Sequence, residues 1–374
     1  MSGFQANKNN MKNPELINSI QQNSRYKNIA VPFNPEISKR HIKDAEFLLR
    51  DDGIIFNIEG YNHPTDFLVG EVLYAPDDNG DKNIFGQPYR KVTLYKDTYE
   101  PVPYSDRARI LRQFDQSFDQ TGTNPFFAKF KQILPASDFI AYLPSSRGLQ
   151  RALALQTGDN EKFHRDFENL MYLLGITLEQ ISLGLTGAPL LGNTEHFHDL
   201  DIVFSGSLEE NLRIVKKMKD LVKYEPERRI FEGGKTWQIR FFNDLGTLMC
   251  NFFTYPDRTA APLNDFSMEV NENGIVVEGT VSDDRHTMYT PTILELKDAT
   301  VSKGGQLVER FTTLPLIVYH TASRGDCFNE DVVQAKGALV EVNQYGKDNF
   351  PAVCVVEREG LRNLTQPWKG YYAK

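Results

Sequence analysis

The chain reads as an α+β protein: a central mixed sheet with helices, flanked by N-terminal and C-terminal β-rich domains. Three observations carry that reading. Residues 160–253 pass from a strongly amphipathic helical period into strand-length apolar runs and back. Residues 54–95 and 276–357 alternate apolar and polar positions in strand-length pieces separated by turn residues. A length of 374 residues exceeds what one ordinary core accommodates, so two or three domains are expected.

In chain order, residues 1–28 are rich in Asn, Gln, Lys and Ser and read as a flexible tail with one weak helix at 14–22. An N-terminal β-rich domain is expected over 29–103. It opens with a short helix at 41–50, closed by the Asp51-Asp52-Gly53 turn. Strands at 54–59, 67–74 and 89–95, with polar turns at 61–65 and 76–81, make a three-stranded antiparallel sheet.

The segment 104–262 reads as helices followed by a catalytic domain. Helices are expected at 106–113, at 124–133 with Phe127, Phe130 and Ile133 inward, and at 149–156 after a loop at 143–148. Asn160 then caps a helix with Phe163, Phe167, Leu170, Met171 and Leu174 on one face. A strand at 181–185, the turn Thr186-Gly187-Ala188 and a polar loop lead to a second strand, which opens with Asp199-Leu200-Asp201. The helix over 208–222 turns Leu212, Val215, Met218 and Val222 inward and Lys216, Lys217, Lys219 and Lys223 outward. A hairpin of 236–242 and 247–253 belongs beside the Asp199 strand in the same sheet. Residues 256–278 are turn-rich and read as a boundary. The C-terminal β-rich domain, 263–374, has strands at 276–281, 292–296, 315–319, 338–342 and 352–357 and fits a small barrel.

Composition narrows the function classes. A net charge of -8 argues against broad, sequence-independent wrapping of nucleic acid, which needs clustered Lys and Arg. Cys250, Cys327 and Cys354 lie far apart and lack metal-ligand spacing, as expected of reduced core residues in a cytoplasmic protein. No apolar run approaches the roughly 18 residues of a membrane span, and the first residues carry no signal-peptide pattern. A cytoplasmic protein without a membrane partner is the expectation.

The chemistry concentrates at 182–205. Side chains alternate along a strand, so Asp199 and Asp201 share a face while Leu200 and Ile202 enter the core. Two neighbouring carboxylates repel unless a cation lies between them, which suits a hard divalent metal. The glycine turn at the end of the preceding strand offers backbone N–H groups to a phosphate. Metal-binding acids facing a phosphate cradle are the parts of phosphoryl or nucleotidyl transfer. His196 and His198 are usable zinc ligands in principle, but their spacing and the lack of a nearby Cys disfavour zinc, and His198 reads as the polar position before the first acid. Arg240 either reaches a phosphate or pairs with an acid on a neighbouring strand. Asp283-Asp284 has no preceding glycine turn and reads as part of a β-turn.

The hydrophobic-Gly-small turn followed, ten residues on, by Asp199-Leu200-Asp201 resembles the signature of the DNA polymerase β-like nucleotidyltransferase superfamily. The resemblance is nearest to predicted archaeal-type nucleotidyltransferases with flanking β domains. Segments such as 52–64, 234–241, 283–291 and 325–337 extend it over about residues 40–360, with gaps. It implies a mixed sheet flanked by helices, Mg²⁺ (or Mn²⁺) as cofactor, and an NTP as substrate. A nucleoside monophosphate would pass to an acceptor with release of pyrophosphate. Asp199 and Asp201 would hold the metals, Thr186, Gly187 and Ala188 the β- and γ-phosphates, and Gly192, His198 and Arg240 would complete the nucleotide site.

Two positions depart from the family pattern. Ala188 stands where a serine hydroxyl is usual, and Asn251 occupies the place best suited to a third metal carboxylate. Asn offers the metal a neutral oxygen but no general base. Asp244 and Glu195 are other candidates for the third acid. These departures motivate an alternative, a catalytically silent nucleotide-binding or scaffold protein of the same fold, with a metal-dependent hydrolase third. The acceptor (a tRNA end, a protein or a small molecule), the NTP base and the oligomeric state are open on sequence alone.

Overall fold

The computed structural model describes residues 13–23, 26–35, 42–64, 66–92, 111–112, 118, 124–155, 160–194, 197–232 and 234–365. It is a mixed α+β structure built on three sheets. The chain divides into two compact units at Val203–Phe204, with 60–62 and 125–129 also belonging to the second. Among the described residues no helix is long and apolar enough to cross a membrane.

The N-terminal sheet has eight strands rather than three. They are β1 (Val31–Pro32), β2 (Phe47–Arg50), β3 (Ile55–Ile58), β4 (Phe67–Pro76), β5 (Lys82–Ile84), β6 (Gln87–Lys91), β7 (Gln132–Pro135) and β8 (Phe139–Leu143). Their order is β1-β8-β2-β3-β4-β6-β5, with β7 also on β4. Both faces are covered. Phe47, Leu49 and Ile55 enter one apolar cluster, while Leu48, Phe56 and Val72 enter another.

This two-sided burial explains the main correction to the expected elements. The helix expected at 41–50 is, over the described residues, a turn followed by β2, every residue of which is buried. A strand buried on both sides loses its alternation and reads as a continuous apolar run, which periodicity does not distinguish from a helix. Likewise 124–133 is one 3₁₀ turn, Phe126–Ala128, followed by β7, whose Ile133 pairs with Val69. The helix expected at 106–113 falls outside the described residues except for 111–112. The weak helix expected at 14–22 is present as α1 (Asn13–Gln22), and Leu16, Ile20 and Tyr26, expected in a tail, are core residues of the N-terminal sheet.

The central elements follow the sequence closely. Helix α2 (Ser145–Ala154) starts a few residues before its expected position, and α3 (Glu161–Leu174) buries Phe163, Phe167, Leu170 and Leu174. Asn160 precedes α3, but its side-chain amide donates to the Ala152 carbonyl at 2.7 Å instead of capping. Then come β9 (Ser182–Leu185), the single helical turn α4 (Gly187–Leu190), β10 (Asp199–Ser205) and α5 (Leu208–Tyr224). Ser207 and Glu210 close a reciprocal capping box at the start of α5. With β11 (Arg229–Glu232), β12 (Lys235–Phe242) and β13 (Leu248–Phe253), the second sheet has the order β11-β12-β13-β10-β9. The hairpin therefore does lie beside the Asp199 strand.

The third sheet comprises β14 (Phe266–His286), β15 (Thr292–Lys303), β16 (Gln306–Val318), β17 (Val332–Gln344), β18 (Phe350–Val355) and β19 (Leu361–Asn363). Pairings β14–β15–β16–β18–β17 return to β14, so five strands close into a barrel. Val277, Leu296, Leu314, Val333 and Val353 fill its interior. Closure removes the open edges that a free sheet would present. Its strands run longer than expected, and β14 begins inside the stretch read as a boundary.

Candidate active site

The site is built on β10 and the turn after β9. Leu200 and Ile202 are fully buried, while Asp199 and Asp201 are only half-buried, so the strand alternation holds. The Thr186 N–H donates to the Asp201 carbonyl at 3.1 Å, which ties the turn to the acid strand. Gly187 has φ +65, and a Cβ there would collide with the Asp201 carboxylate. Glycine is thus required twice: for the left-handed backbone and for the space that Asp201 fills.

The Thr186 side chain has a structural use. It is buried, and its hydroxyl donates to the Ala45 carbonyl at 2.6 Å. Ala45 itself is held at φ +64, a conformation that costs an L residue about 1–2 kcal/mol. Next to it, Glu46 accepts from the N–H groups of Lys43 at 3.1 Å and Ser145 at 3.3 Å. Burial pushes its carboxyl up to about 7, with those hydrogen bonds and the Lys43 charge pulling the other way.

Of the remaining expected positions, Ala188 lines a cavity described below. Gly192 has φ +96 and packs so closely that a Cβ would lie 2.7 Å from the Tyr26 ring, beside the Arg151 guanidinium. Arg151 in turn donates to the Pro189 carbonyl at 2.8 Å and holds α4 in place. His198 is exposed at the bend before Asp199. Glu195 and His196 lie outside the described residues.

Within the second sheet, a carboxylate oxygen of Asp199, one of Asp201 and the Cys250 Sγ all lie within 4.8 Å of one another. Arg240 Nε donates to that Sγ at 3.2 Å, and its Nη1 pairs with Glu232 on β11. Of its two expected roles, the structure places Arg240 in the pair with a neighbouring-strand acid. Asn251 is 1% exposed and its amide donates to the Ile239 carbonyl at 2.8 Å. Adjacent strand residues point to opposite faces, so Cys250 rather than Asn251 accompanies the two acids. Asp244 is engaged by Arg228 at 2.6 Å. Among the described residues, no third carboxylate joins Asp199 and Asp201 in this group.

The donor set decides which ion fits. Two carboxylates match a hard cation such as Mg²⁺ or Mn²⁺, which keeps several waters and takes its other oxygens from phosphates. A thiol is a soft donor and adds little for Mg²⁺. Asp199 and Asp201 therefore fit the ion, and Cys250 occupies the third place without matching it.

Beside the turn lies a cavity of about 340 Å³, lined by Tyr26, Tyr74 and Asp81–Ile84 on one side and by Ala188 and Leu191–Asn193 on the other. Burial pushes the Tyr74 phenol up, and the charges on Asp201 and Asp199 push it further. Tyr74 and Asn83 carry no local signal in the sequence, and Cys250, expected as a core thiol without metal-ligand spacing, is buried but lies beside the two acids. The Asn243–Gly246 turn, which sets the register Arg240↔Cys250, was the one available signal for the last. The chain matches no family model, no curated protein and no solved structure.

Proposed function

We propose that the protein is a metal-dependent nucleotidyltransferase, transferring a nucleoside monophosphate from an NTP to an acceptor with release of pyrophosphate. The observation that carries this reading is the Gly187 turn packed against the Asp201 carboxylate, with Asp199 on the same strand face. Asp199 and Asp201 hold the divalent cation. A cation held there would supply charge neutralisation for the NTP phosphates and the leaving pyrophosphate. The turn from Gly187 to Ala188 brings backbone N–H groups to the phosphates. Thr186, fastened to Ala45, keeps the turn in register with Asp201.

Cys250 in the third place favours a second reading, a nucleotide-binding protein of the same design that does not turn over. A thiol among acids is a poorer proton acceptor for an attacking hydroxyl than the carboxylate it replaces. The test is incubation with each α-labelled NTP and Mg²⁺ or Mn²⁺, following pyrophosphate release and label transfer to tRNA, protein and small-molecule acceptors. Release and transfer that disappear in Asp199→Asn/Asp201→Asn support the transferase. Metal-dependent NTP binding without release, lost in the same variant, supports the silent reading.

A further inference from the structure

We propose that the cavity beside the Gly187–Ala188 turn is the nucleoside pocket of this site, with the N-terminal sheet supplying the wall that holds the base. The inference rests on reading Asp199 and Asp201 as the metal acids, and it assigns a ligand subsite to β4 and β5.

Position is the first argument. Ala188 lines the cavity and directly follows Gly187, the residue against which the Asp201 carboxylate packs. Tyr74 lines the same cavity from the opposite side. A triphosphate at the turn therefore directs its nucleoside end into this space. Size is the second argument. About 340 Å³ lies at the lower end of small-ligand sites, which suits a base and ribose but not a whole NTP or a polymer.

Chemistry is the third. Lys82 and Asp81 pair at 2.9 Å, so the charged residues of the lining cancel and give no net attraction for phosphate. Tyr26 and Tyr74 supply aromatic surface, while the exposed Asn83 supplies an amide able to donate and accept. Aromatic surface beside an amide recognises a heterocycle with hydrogen-bonding edges. The closeness of Gly192 to Tyr26 then has a use, because a side chain at 192 would displace the ring from the lining.

The test uses free nucleosides, so that it does not depend on the metal. Asn83 is exposed, which makes Asn83→Trp a way to fill the cavity from its rim without removing a core residue. Adenosine, guanosine, cytidine and uridine are titrated in EDTA against wild type and Asn83→Trp, with saturation-transfer NMR as the readout. At least one nucleoside should bind wild type and bind Asn83→Trp at least about tenfold more weakly, as expected when an added indole occupies the space. Absence of nucleoside binding, or equal binding to both proteins, would overturn the proposal. Asp201→Asn is titrated alongside: it should keep nucleoside binding and lose metal-dependent NTP binding. If Asp201→Asn keeps NTP binding while Asn83→Trp loses nucleoside binding, the pocket stands and the metal reading fails.

Discussion

The chain carries two pairs of neighbouring aspartates on strands, and their surroundings differ. Asp199 and Asp201 are spaced by two, share a face of β10, and meet a glycine turn whose missing side chain leaves room for a carboxylate. Asp283 and Asp284, expected in a β-turn, are instead adjacent on the strand β14 and point to opposite faces. Arg285 holds Asp283 through its own N–H and a bidentate guanidinium, which keeps that carboxyl below its usual range. Asp284 is buried and accepts the Asn329 N–H at 3.1 Å, with Lys216 at 3.5 Å. The second pair is consumed by structural partners. The first shares a face, as a metal pair must. Acid content alone therefore says little; spacing and the neighbouring turn separate a candidate site from a braced strand.

The sharpest way to break this contrast is to neutralise each pair. Asp199→Asn/Asp201→Asn should lower metal-dependent NTP turnover by at least about 10³-fold, since the ion supplies several kcal/mol and each 1.36 kcal/mol is tenfold. Pyrophosphate release measures it. Asp283→Asn should leave that rate unchanged.

Next in size is pH. Glu46 has its folded value raised to about 7, above the usual glutamate range, because burial disfavours its charged form. Below about 4.5 both folded and unfolded states carry the proton and no penalty exists. Between about 4.5 and 7 the unfolded chain releases the proton first, so stability falls as pH rises and levels off above about 7. Glu46→Gln should flatten that slope in denaturant titrations without a matching gain in stability, because its amide turns a donor toward one of the two N–H groups that Glu46 accepts, at a cost of about 1–3 kcal/mol.

Gly187→Ala should cost about 1–2 kcal/mol for the left-handed backbone and also displace the Asp201 carboxylate. Gly246→Ala, at φ +77 where an added Cβ would meet open space, is the control. Thermal melts should show comparable backbone costs for the two, while only Gly187→Ala weakens Mn²⁺ binding. The smallest effect is expected at Arg285→Ala, which removes a pair whose arginine is largely exposed. Its stability cost should be about 1 kcal/mol or less in chemical denaturation.

The sequence made the second sheet legible because its signals are local. The Asn243–Gly246 turn sets the β12–β13 hairpin, and the alternation around Leu200 and Ile202 sets the face of the acids. Helix α3 was legible because its apolar stripe has one period. Strand β2 was not, because Phe47, Leu48 and Leu49 are buried on both faces and no polar residue marks one of them as outward. The closed barrel was readable as a class, but its strand lengths were not, since exposed pieces such as residues 306–310 break the pattern. At the site, the acids and glycine could be read from spacing. The clasp of Thr186 on Ala45 spans 141 residues of sequence, and no local pattern reports it. The same holds for the meeting of β5 with α4 around the cavity.

The most direct test of the central claim is an electron paramagnetic resonance titration of Mn²⁺ against wild type, Asp199→Asn/Asp201→Asn and Asp283→Asn/Asp284→Asn. Wild type and the Asp283/Asp284 variant should bind Mn²⁺ with equal affinity, more tightly when an NTP is present, and the Asp199/Asp201 variant should not bind. Equal binding by all three proteins would contradict the assignment of the metal to Asp199 and Asp201.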